Sequence, residues 1–150
     1  MAEIHVAADR DIDAPADTVY RVLSDYREHH PKILPSAFSD LRVESGGVGQ
    51  GTIFRFRGKT AGWERSFHMR VAEPQPGRVL TESDMESNMV TTFTVEPRGS
   101  SSHVTISTRW QDAGGVGGFL ERTFAPRMMR RLYADELERL NGYARSLAPA

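Results

Sequence analysis

A chain of 150 residues is long enough to enclose one hydrophobic core and too short for two, so we expect a single domain over residues 1–150. Its 39% hydrophobic and 26% charged residues exclude a disordered or fibrous protein. The formal net charge of -1 provides no positive field for nucleic acid or an anionic membrane, and the absence of cysteine excludes disulfides and thiolate-based zinc sites.

We expect neither a targeting segment nor a membrane segment in this chain. Residues Met1–His5 contain neither the basic nor the apolar part of a signal peptide. No apolar run approaches the roughly 18 residues that a membrane span requires. We therefore expect a cytoplasmic protein with no membrane span and no nucleic-acid partner.

The first predicted elements are a strand and two short helices. Apolar and polar residues alternate over Ile4–Ile12, as in a strand with one buried face. Pro15 suits a first helical turn and an apolar stripe follows it, which predicts a helix over Pro15–Ser24. A second short helix is expected over Tyr26–His30, before Pro31 returns the chain to irregular structure.

The middle of the chain alternates between apolar and polar residues and contains frequent glycine and proline turns. This pattern predicts antiparallel strands joined by hairpins. We place six strands near residues 38–46, 51–59, 62–73, 78–85, 88–96 and 102–111.

A long helix is predicted near the end of the chain. Downstream of the glycine cluster Gly114–Gly118, apolar residues recur at helical spacing up to Leu147. Pro126 removes one backbone donor from this helix, so a kink or break is expected there. The glycine cluster is a candidate hinge at a cavity mouth. We expect residues 116–125 to be held less firmly than residues 128–147, with ligand entry beneath the first segment.

Together these elements predict an α+β protein, in which a curved seven-stranded antiparallel sheet carries helices on one face. One long helix covers only part of such a sheet, so a large apolar surface must enclose either side chains or a ligand. Strand parity and helix spacing place nine residues around one continuous apolar space: Phe54, Phe56, Phe67, Met69, Met89, Phe93, Trp110, Phe124 and Met128.

Four segments carry a family resemblance: Ile12–Tyr26, Glu73–Leu80, Thr91–Pro97 and Arg131–Leu137. They are similar to segments of the START-related SRPBCC superfamily, especially its polyketide cyclase/dehydrase-like members, and the likeness covers nearly the whole chain. The resemblance implies a helix-grip fold, with a curved sheet around a long C-terminal helix and two short helices after the first strand. It also implies a deep apolar cavity, which members of the superfamily use for lipid or polyketide binding, cyclisation or partner regulation. The family's tryptophan before the proline corresponding to Pro35 is absent, since Ile33 and Leu34 stand there.

Five residues with polar groups or aromatic rings complete the predicted ligand-binding set. Arg10 and Arg65 share strand parity with apolar neighbours, so each is either a polar anchor inside the cavity or a side chain that reaches water past a bulge or strand end. Trp63 belongs to the same face as Arg65. Tyr26 and His30 are candidates at the cavity rim, where a histidine can act as an acid or base near neutral pH.

Arg65 suits the polar end of an acidic ligand, because a guanidinium grips a carboxylate with two directed donors. Replacing Arg65 by Met is expected to weaken binding of such a ligand by about 1.5–3 kcal/mol, the range for a charge-assisted hydrogen bond. If the guanidinium is buried, its removal should leave stability unchanged or raise it.

The remaining motifs indicate no cofactor and no metal. His29 and His30 are adjacent, so a regular helix points them about 100° apart and they cannot share one metal ion. The glycine clusters complete no phosphate-binding pattern, and no serine lies in a nucleophile elbow. Asp84 and Glu86 fall near a hairpin tip, where solvated carboxylates are common. Arginines of the last helix alternate with acidic residues, which favours an ion-paired outer face over RNA binding.

We interpret the chain as a carrier or sensor of a small hydrophobic or aromatic ligand, lipid-like or polyketide-like, held beneath the C-terminal helix. The alternative is a polyketide cyclase or aromatase that folds a poly-carbonyl chain in the same cavity and shuttles protons. A third interpretation is an interaction module with a structural ligand. An enzyme needs polar groups clustered deep in the pocket, whereas a carrier needs one or two anchors. The predicted inward positions are mostly Phe, Met, Val and Trp, which favours binding, and we expect a monomer or weak homodimer.

Overall fold

The computed structural model describes residues 2–60, 63–112 and 114–148, with only the backbone described for residues 60, 63, 119–122 and 124. In chain order the elements are β1 (Glu3–Ile12), α1 (Ala16–Ser24), a 3-10 helix (His30–Ile33), β2 (Phe38–Ser45), β3 (Ile53–Thr60), β4 (Trp63–Gln75), β5 (Val79–Asp84), β6 (Val90–Arg98), β7 (Ser101–Gln111) and α2 (Gly115–Leu147).

The strands form one seven-stranded sheet in the order β1-β7-β6-β5-β4-β3-β2. Every neighbouring pair is antiparallel. Five of these pairs are consecutive along the chain, while β1 closes onto β7. The predicted α+β fold, with a seven-stranded antiparallel sheet and a long C-terminal helix, is confirmed.

The chain between α1 and β2 differs from the prediction. The Asp25 carboxylate accepts the backbone N–H groups of Arg27 and Glu28, each at 3.0 Å, which forms a side-chain-capped turn where a helix over residues 26–30 was predicted. The short helix instead begins at His30 and is of the 3-10 type, with Pro31 in its first turn. The turn brings Tyr26 and His30 into the interior, where they are 0% and 2% exposed.

Helix α2 continues through Pro126 without a break. A proline removes only its own N–H from the hydrogen-bond ladder, and the remaining turns of a 33-residue helix stay bonded. The predicted break is therefore wrong, while the alternative, a kink at Pro126, stays a prediction. None of the described helices is long and apolar enough to cross a membrane.

The two halves of α2 serve different purposes. Leu137, Leu140 and Ala144 are buried in the hydrophobic core, which also contains apolar residues of α1 and of the sheet. The preceding turns, around Ala125 and Met128, lie over the sheet without filling the space beneath them. A cavity remains between this part of the helix and the strands.

Candidate functional site

The cavity has a volume of about 210 Å³ and is mainly apolar. Its lining comes from the sheet, from the segment after α1 and from α2. The lining residues are His30, Leu34, Phe38, Leu41, Phe54, Phe56, Arg65, Phe67, Met69, Glu82, Met89, Thr91, Phe93, Trp110, Ala125, Met128, Met129, Leu132, Tyr133 and Glu136.

The structure brings most of the predicted site residues together. Ten of them line the cavity: His30, Phe54, Phe56, Arg65, Phe67, Met69, Met89, Phe93, Trp110 and Met128. Tyr26 lies directly behind the lining, stacked on Phe54 with ring centroids 4.5 Å apart. Trp63 and Phe124 were also predicted to line the cavity, but their side chains lie outside the described part of the structure.

The prediction that Arg10 lies in the cavity is wrong. Arg10 has the same strand parity as the buried Val6 and Ile12, yet it is exposed. Strand β1 is at the edge of the sheet, and a long guanidinium side chain there reaches water. The rim position predicted for Tyr26 and His30 is also wrong, since the Asp25 turn buries both residues.

One wall of the cavity is a ladder of stacked rings. Phe54 and Phe56 are alternate residues of β3, with centroids 5.8 Å apart. Phe56 is paired in register with Phe67 of β4, and these rings stack at 4.7 Å. Tyr26 extends the ladder on the Phe54 side. Such a wall offers a flat aromatic surface to a planar ligand.

Glu82 is the central polar group of the cavity. The Tyr26 hydroxyl donates to Glu82 Oε2 at 2.6 Å, and His30 Nε2 lies 3.8 Å from the same oxygen. Burial raises the pKa of Glu82 to about 7, while the Tyr26 hydrogen bond acts in the opposite direction. Glu82 is therefore near its half-titration point at neutral pH.

His30 faces Glu82 as a neutral imidazole. Burial lowers the pKa of His30 to about 4. Its Nδ1 lies 2.7 Å from the carbonyl oxygen of Leu23, an acceptor only, so we assign the proton to Nδ1 and the lone pair to Nε2. The lone pair at Nε2 is thus directed toward the side of the ring where Glu82 lies.

Helix α2 contributes two further polar groups, Tyr133 and Glu136. They are 7% and 4% exposed and lie three residues apart, on one helix face. The Tyr133 hydroxyl contacts Thr108 Oγ1, which is 2.7 Å from Thr91 Oγ1. Burial, and then the nearby charge of Glu82, raise the pKa of Glu136 well above its usual range. We call His30, Glu82, Tyr133 and Glu136 the inner cluster.

Arg65 marks a second polar region, closer to solvent. Its side chain is 35% exposed, and Nη2 donates to Asp84 Oδ2 at 2.5 Å and to Ser87 Oγ at 3.2 Å. The guanidinium lies over the Phe67 ring, 4.6 Å from its centroid. Asp84, with a side chain 1% exposed, supports Arg65 from behind the cavity wall.

Sequence reasoning missed Glu82, Thr91, Tyr133 and Glu136. The signal was present, because Glu82 shares strand parity with the buried Leu80. Glu136 likewise falls at helical spacing from the buried Tyr133 and Leu140. A carboxylate on an apolar face was the indication of a site.

The structure also groups three potential metal ligands at the surface. Ligand atoms of Asp25, Glu28 and His29 lie within 4.8 Å of one another. Asp25 already caps the turn with Oδ1, and His29 Nδ1 lies 2.7 Å from the Tyr143 hydroxyl. We assign no metal to this group, since its hydrogen bonds account for its arrangement.

A curved antiparallel sheet around a long helix, with an apolar cavity between them, defines a helix-grip protein of the ligand-binding or cyclase type. Residues 3–145 match the model of the family described as polyketide cyclase / dehydrase and lipid transport. The chain belongs to this family. A search of curated proteins gave no match.

Solved structures agree with this assignment. The chain is 34% identical to the KanY protein, with a TM-score of 0.85 over 96% of this chain and 99% of that one. It is 18% identical to the Zhui aromatase/cyclase from Streptomyces sp. R1128, with a TM-score of 0.78 over 95% and 94% of the two chains. Norcoclaurine synthase from Thalictrum flavum, also 18% identical, gives a TM-score of 0.72 over 97% and 96%. The two more distant likenesses concern the fold alone.

Proposed function

We propose that the protein binds a small aromatic or poly-carbonyl molecule in the cavity and catalyses proton transfer at a carbon next to a carbonyl group, as in a cyclase reaction. The observation that carries this proposal is the inner cluster. It contains a buried carboxyl group with a pKa of about 7, facing an apolar space lined by aromatic rings. A carrier requires no such group. The inner cluster therefore favours an enzyme of the cyclase type over a carrier.

Each polar group has a distinct part in the proposed reaction. Glu82 removes a proton from the carbon, and Tyr26 holds the carboxylate in place through its 2.6 Å hydrogen bond. The electron pair moves onto the carbonyl oxygen as an enolate. Tyr133, whose hydroxyl contacts Thr108, can direct its O–H at that oxygen when Thr108 donates to it.

Ring closure follows from the same arrangement. The enolate carbon attacks a second carbonyl carbon of the same molecule, which forms the C–C bond and leaves an alkoxide. The proton held by Glu82 returns to this alkoxide, so the carboxylate is regenerated. Loss of water from the product then gives an unsaturated ring. The Phe54, Phe56 and Phe67 wall favours a planar product.

Deuterium exchange tests the proton-transfer step without knowledge of the natural substrate. The benzo-fused cyclic ketone 2-tetralone, incubated with the protein in D2O, is expected to exchange the hydrogens beside its carbonyl faster than in buffer. Glu82→Gln should lower this acceleration by about 10²-fold or more, the range for a general base. Glu44→Gln, at an exposed position on β2, is the matched control. Saturable binding of 2-tetralone with no accelerated exchange would instead support a carrier.

A further inference from the structure

We propose that Glu136, together with Glu82, forms a binding site for the protonated amine of an aromatic ligand. This inference rests on the proposed function, since it concerns the same cavity and defines its ligand more closely. The first observation is the isolation of Glu136. Among the described residues, no hydrogen bond or ion pair reaches its carboxyl group, although the residue is only 4% exposed and faces the cavity. Because no fully buried side-chain oxygen of the described residues lacks a partner, the unpaired Glu136 oxygens are open to the cavity, where a ligand can donate hydrogen bonds to them.

The second observation is the distribution of positive charge around the cavity. Of the described lining residues, Arg65 and His30 are the basic ones. Arg65 is bound to Asp84 and Ser87 at the more exposed region of the cavity. His30 directs one nitrogen to the Leu23 carbonyl and is uncharged at neutral pH. Neither group forms a hydrogen bond or ion pair with the Glu136 carboxyl group in the described part of the chain.

Two carboxyl groups in one apolar cavity oppose each other's ionisation. An ammonium ion placed between Glu136 and Glu82 removes this conflict, because its N–H groups can donate to both carboxylates. It also keeps Glu82 ionised, which the base role requires. A neutral ketone can satisfy one carboxyl group but leaves the repulsion between them, and an anionic ligand adds to it.

The walls favour the same kind of ligand. Phe54, Phe67, Phe93 and Trp110 present aromatic rings to the cavity that contains both carboxyl groups. Ring faces attract a cation, and desolvation strengthens that attraction. The combination of aromatic walls and two acidic groups points to an arylalkylamine group in the ligand, with its rings stacked against the walls and its ammonium group at the inner cluster. The carbonyl group that the proposed reaction requires belongs to the same ligand.

Calorimetric titration with a matched set of probes tests the amine site. Phenethylamine, 2-phenylethanol and 3-phenylpropionate differ mainly in charge. The native chain should bind phenethylamine about tenfold or more tightly than the alcohol, the range for hydrogen bonds to charged groups, and the acid least tightly. Glu136→Gln should remove this preference while changing the Kd of the alcohol by less than about twofold. Glu138→Gln, exposed on the same helix, is the control and should keep the preference.

Three results would overturn the proposal: equal binding of the amine and the alcohol, a preference that survives Glu136→Gln, or no saturable binding of the amine. Thermal unfolding of Glu136→Gln checks that the variant folds, and Glu136→Met provides a second neutral variant if the amide packs poorly. Accelerated exchange of 2-tetralone without an amine preference would leave the proposed function standing and remove the amine site. If the native chain prefers the amine but does not accelerate the exchange of 2-tetralone, the amine site would stand and the proposed function would be removed.

Discussion

Glu82 Oε2 and His30 Nε2 lie 3.8 Å apart, and burial shifts the pKa values of the two residues in opposite directions. It raises the pKa of Glu82 from 4.5 to about 7 and lowers that of His30 from 6.5 to about 4. At neutral pH the imidazole is therefore uncharged, and the contact is not an ion pair. Because the two shifts are opposite, the two residues have opposite effects on stability as the pH changes.

Glu82 should make the folded protein less stable as the pH rises. The folded state keeps the Glu82 proton up to about pH 7, whereas the unfolded chain releases it near 4.5, so the stabilising contribution is lost through this window. The free energy of unfolding of the native chain, relative to Glu82→Gln, is expected to fall by up to about 3 kcal/mol from pH 4.5 to 7. Urea unfolding at a series of pH values measures the difference.

His30 should produce the opposite slope. The unfolded chain binds the histidine proton below pH 6.5, while the folded state resists it down to about 4, so the contribution of neutral His30 is present above 6.5 and lost as the pH falls. Relative to His30→Gln, the native chain is expected to gain stability between pH 4 and 6.5. Slopes of the same sign for both variants would contradict these assignments.

Arg65 is half of a pair whose other member is more deeply buried. Arg65→Met leaves the Asp84 carboxylate with Ser87 and the Glu86 N–H as its remaining hydrogen-bond donors. We therefore expect a loss of about 1–2 kcal/mol in unfolding free energy, whereas sequence parity predicted no loss. Adding Asp84→Asn should restore most of the stability, because the uncompensated charge disappears. Chemical denaturation gives the free energies of unfolding of the single and the double variant. An Arg65→Met variant as stable as the native chain would contradict this account.

Parity recovered the apolar walls of the cavity but not its acidic groups. Alternation placed Phe54, Phe67 and Phe93 correctly because apolar side chains are driven to one face. The same pattern contained Glu82, whose burial depends on contacts with Tyr26 and His30, more than 50 residues away in the chain. Arg10 shows the reverse case, since its parity indicates the interior while its length and edge position let it reach water.

At the scale of elements, one side chain determines how the segment after α1 is folded. Asp25 caps a turn, so that the short helix begins only at His30. The same turn places the Tyr26 ring against Phe54. The helical spacing of the segment gave no sign of this, because a capping carboxylate competes locally with helix formation. The strands were predicted more closely, since glycine and proline turns limit their ends.

The first turns of α2 should be held less firmly than the last. Gly114 provides no side-chain cap, the first turn contains no acidic residue, and Val116 is 78% exposed. The segment containing Leu137, Leu140 and Ala144 is packed in the core. Amide hydrogen exchange is expected to be faster over residues 116–125 than over residues 128–147. Equal protection of the two segments would remove the basis for ligand entry beneath the first.

At the scale of the whole molecule, the cavity exists because one helix serves two regions of a curved sheet. Its C-terminal half completes the core, while its N-terminal half spans the concave face and leaves about 210 Å³ beneath it. The family resemblance predicted this arrangement from the turns and core positions that build the fold. Which charges line the space depends on individual side chains that the shared fold does not specify.

Filling the cavity should abolish binding without affecting the rest of the fold. Ala125 lines the cavity and Ala134 is exposed on the same helix, so Ala125→Phe and Ala134→Phe form a matched pair. In a Trp63→Phe background, Trp110 is the remaining tryptophan and reports from the cavity wall. Titration with 2-tetralone is expected to change its fluorescence saturably in the native cavity and in Ala134→Phe, but not in Ala125→Phe. A saturable change in Ala125→Phe would place the binding site elsewhere.

The dependence of 2-tetralone deuterium exchange on pH tests most directly whether the cavity carries a poised base. At ketone concentrations well below saturation, where the rate reports the free protein, the rate should rise with an apparent pKa near 7 as Glu82 loses its proton, and Glu82→Gln should reduce the rate to that of buffer at each pH. An unchanged profile in Glu82→Gln would contradict the account, because the proton would then be removed by a group other than the one on which the proposed function rests.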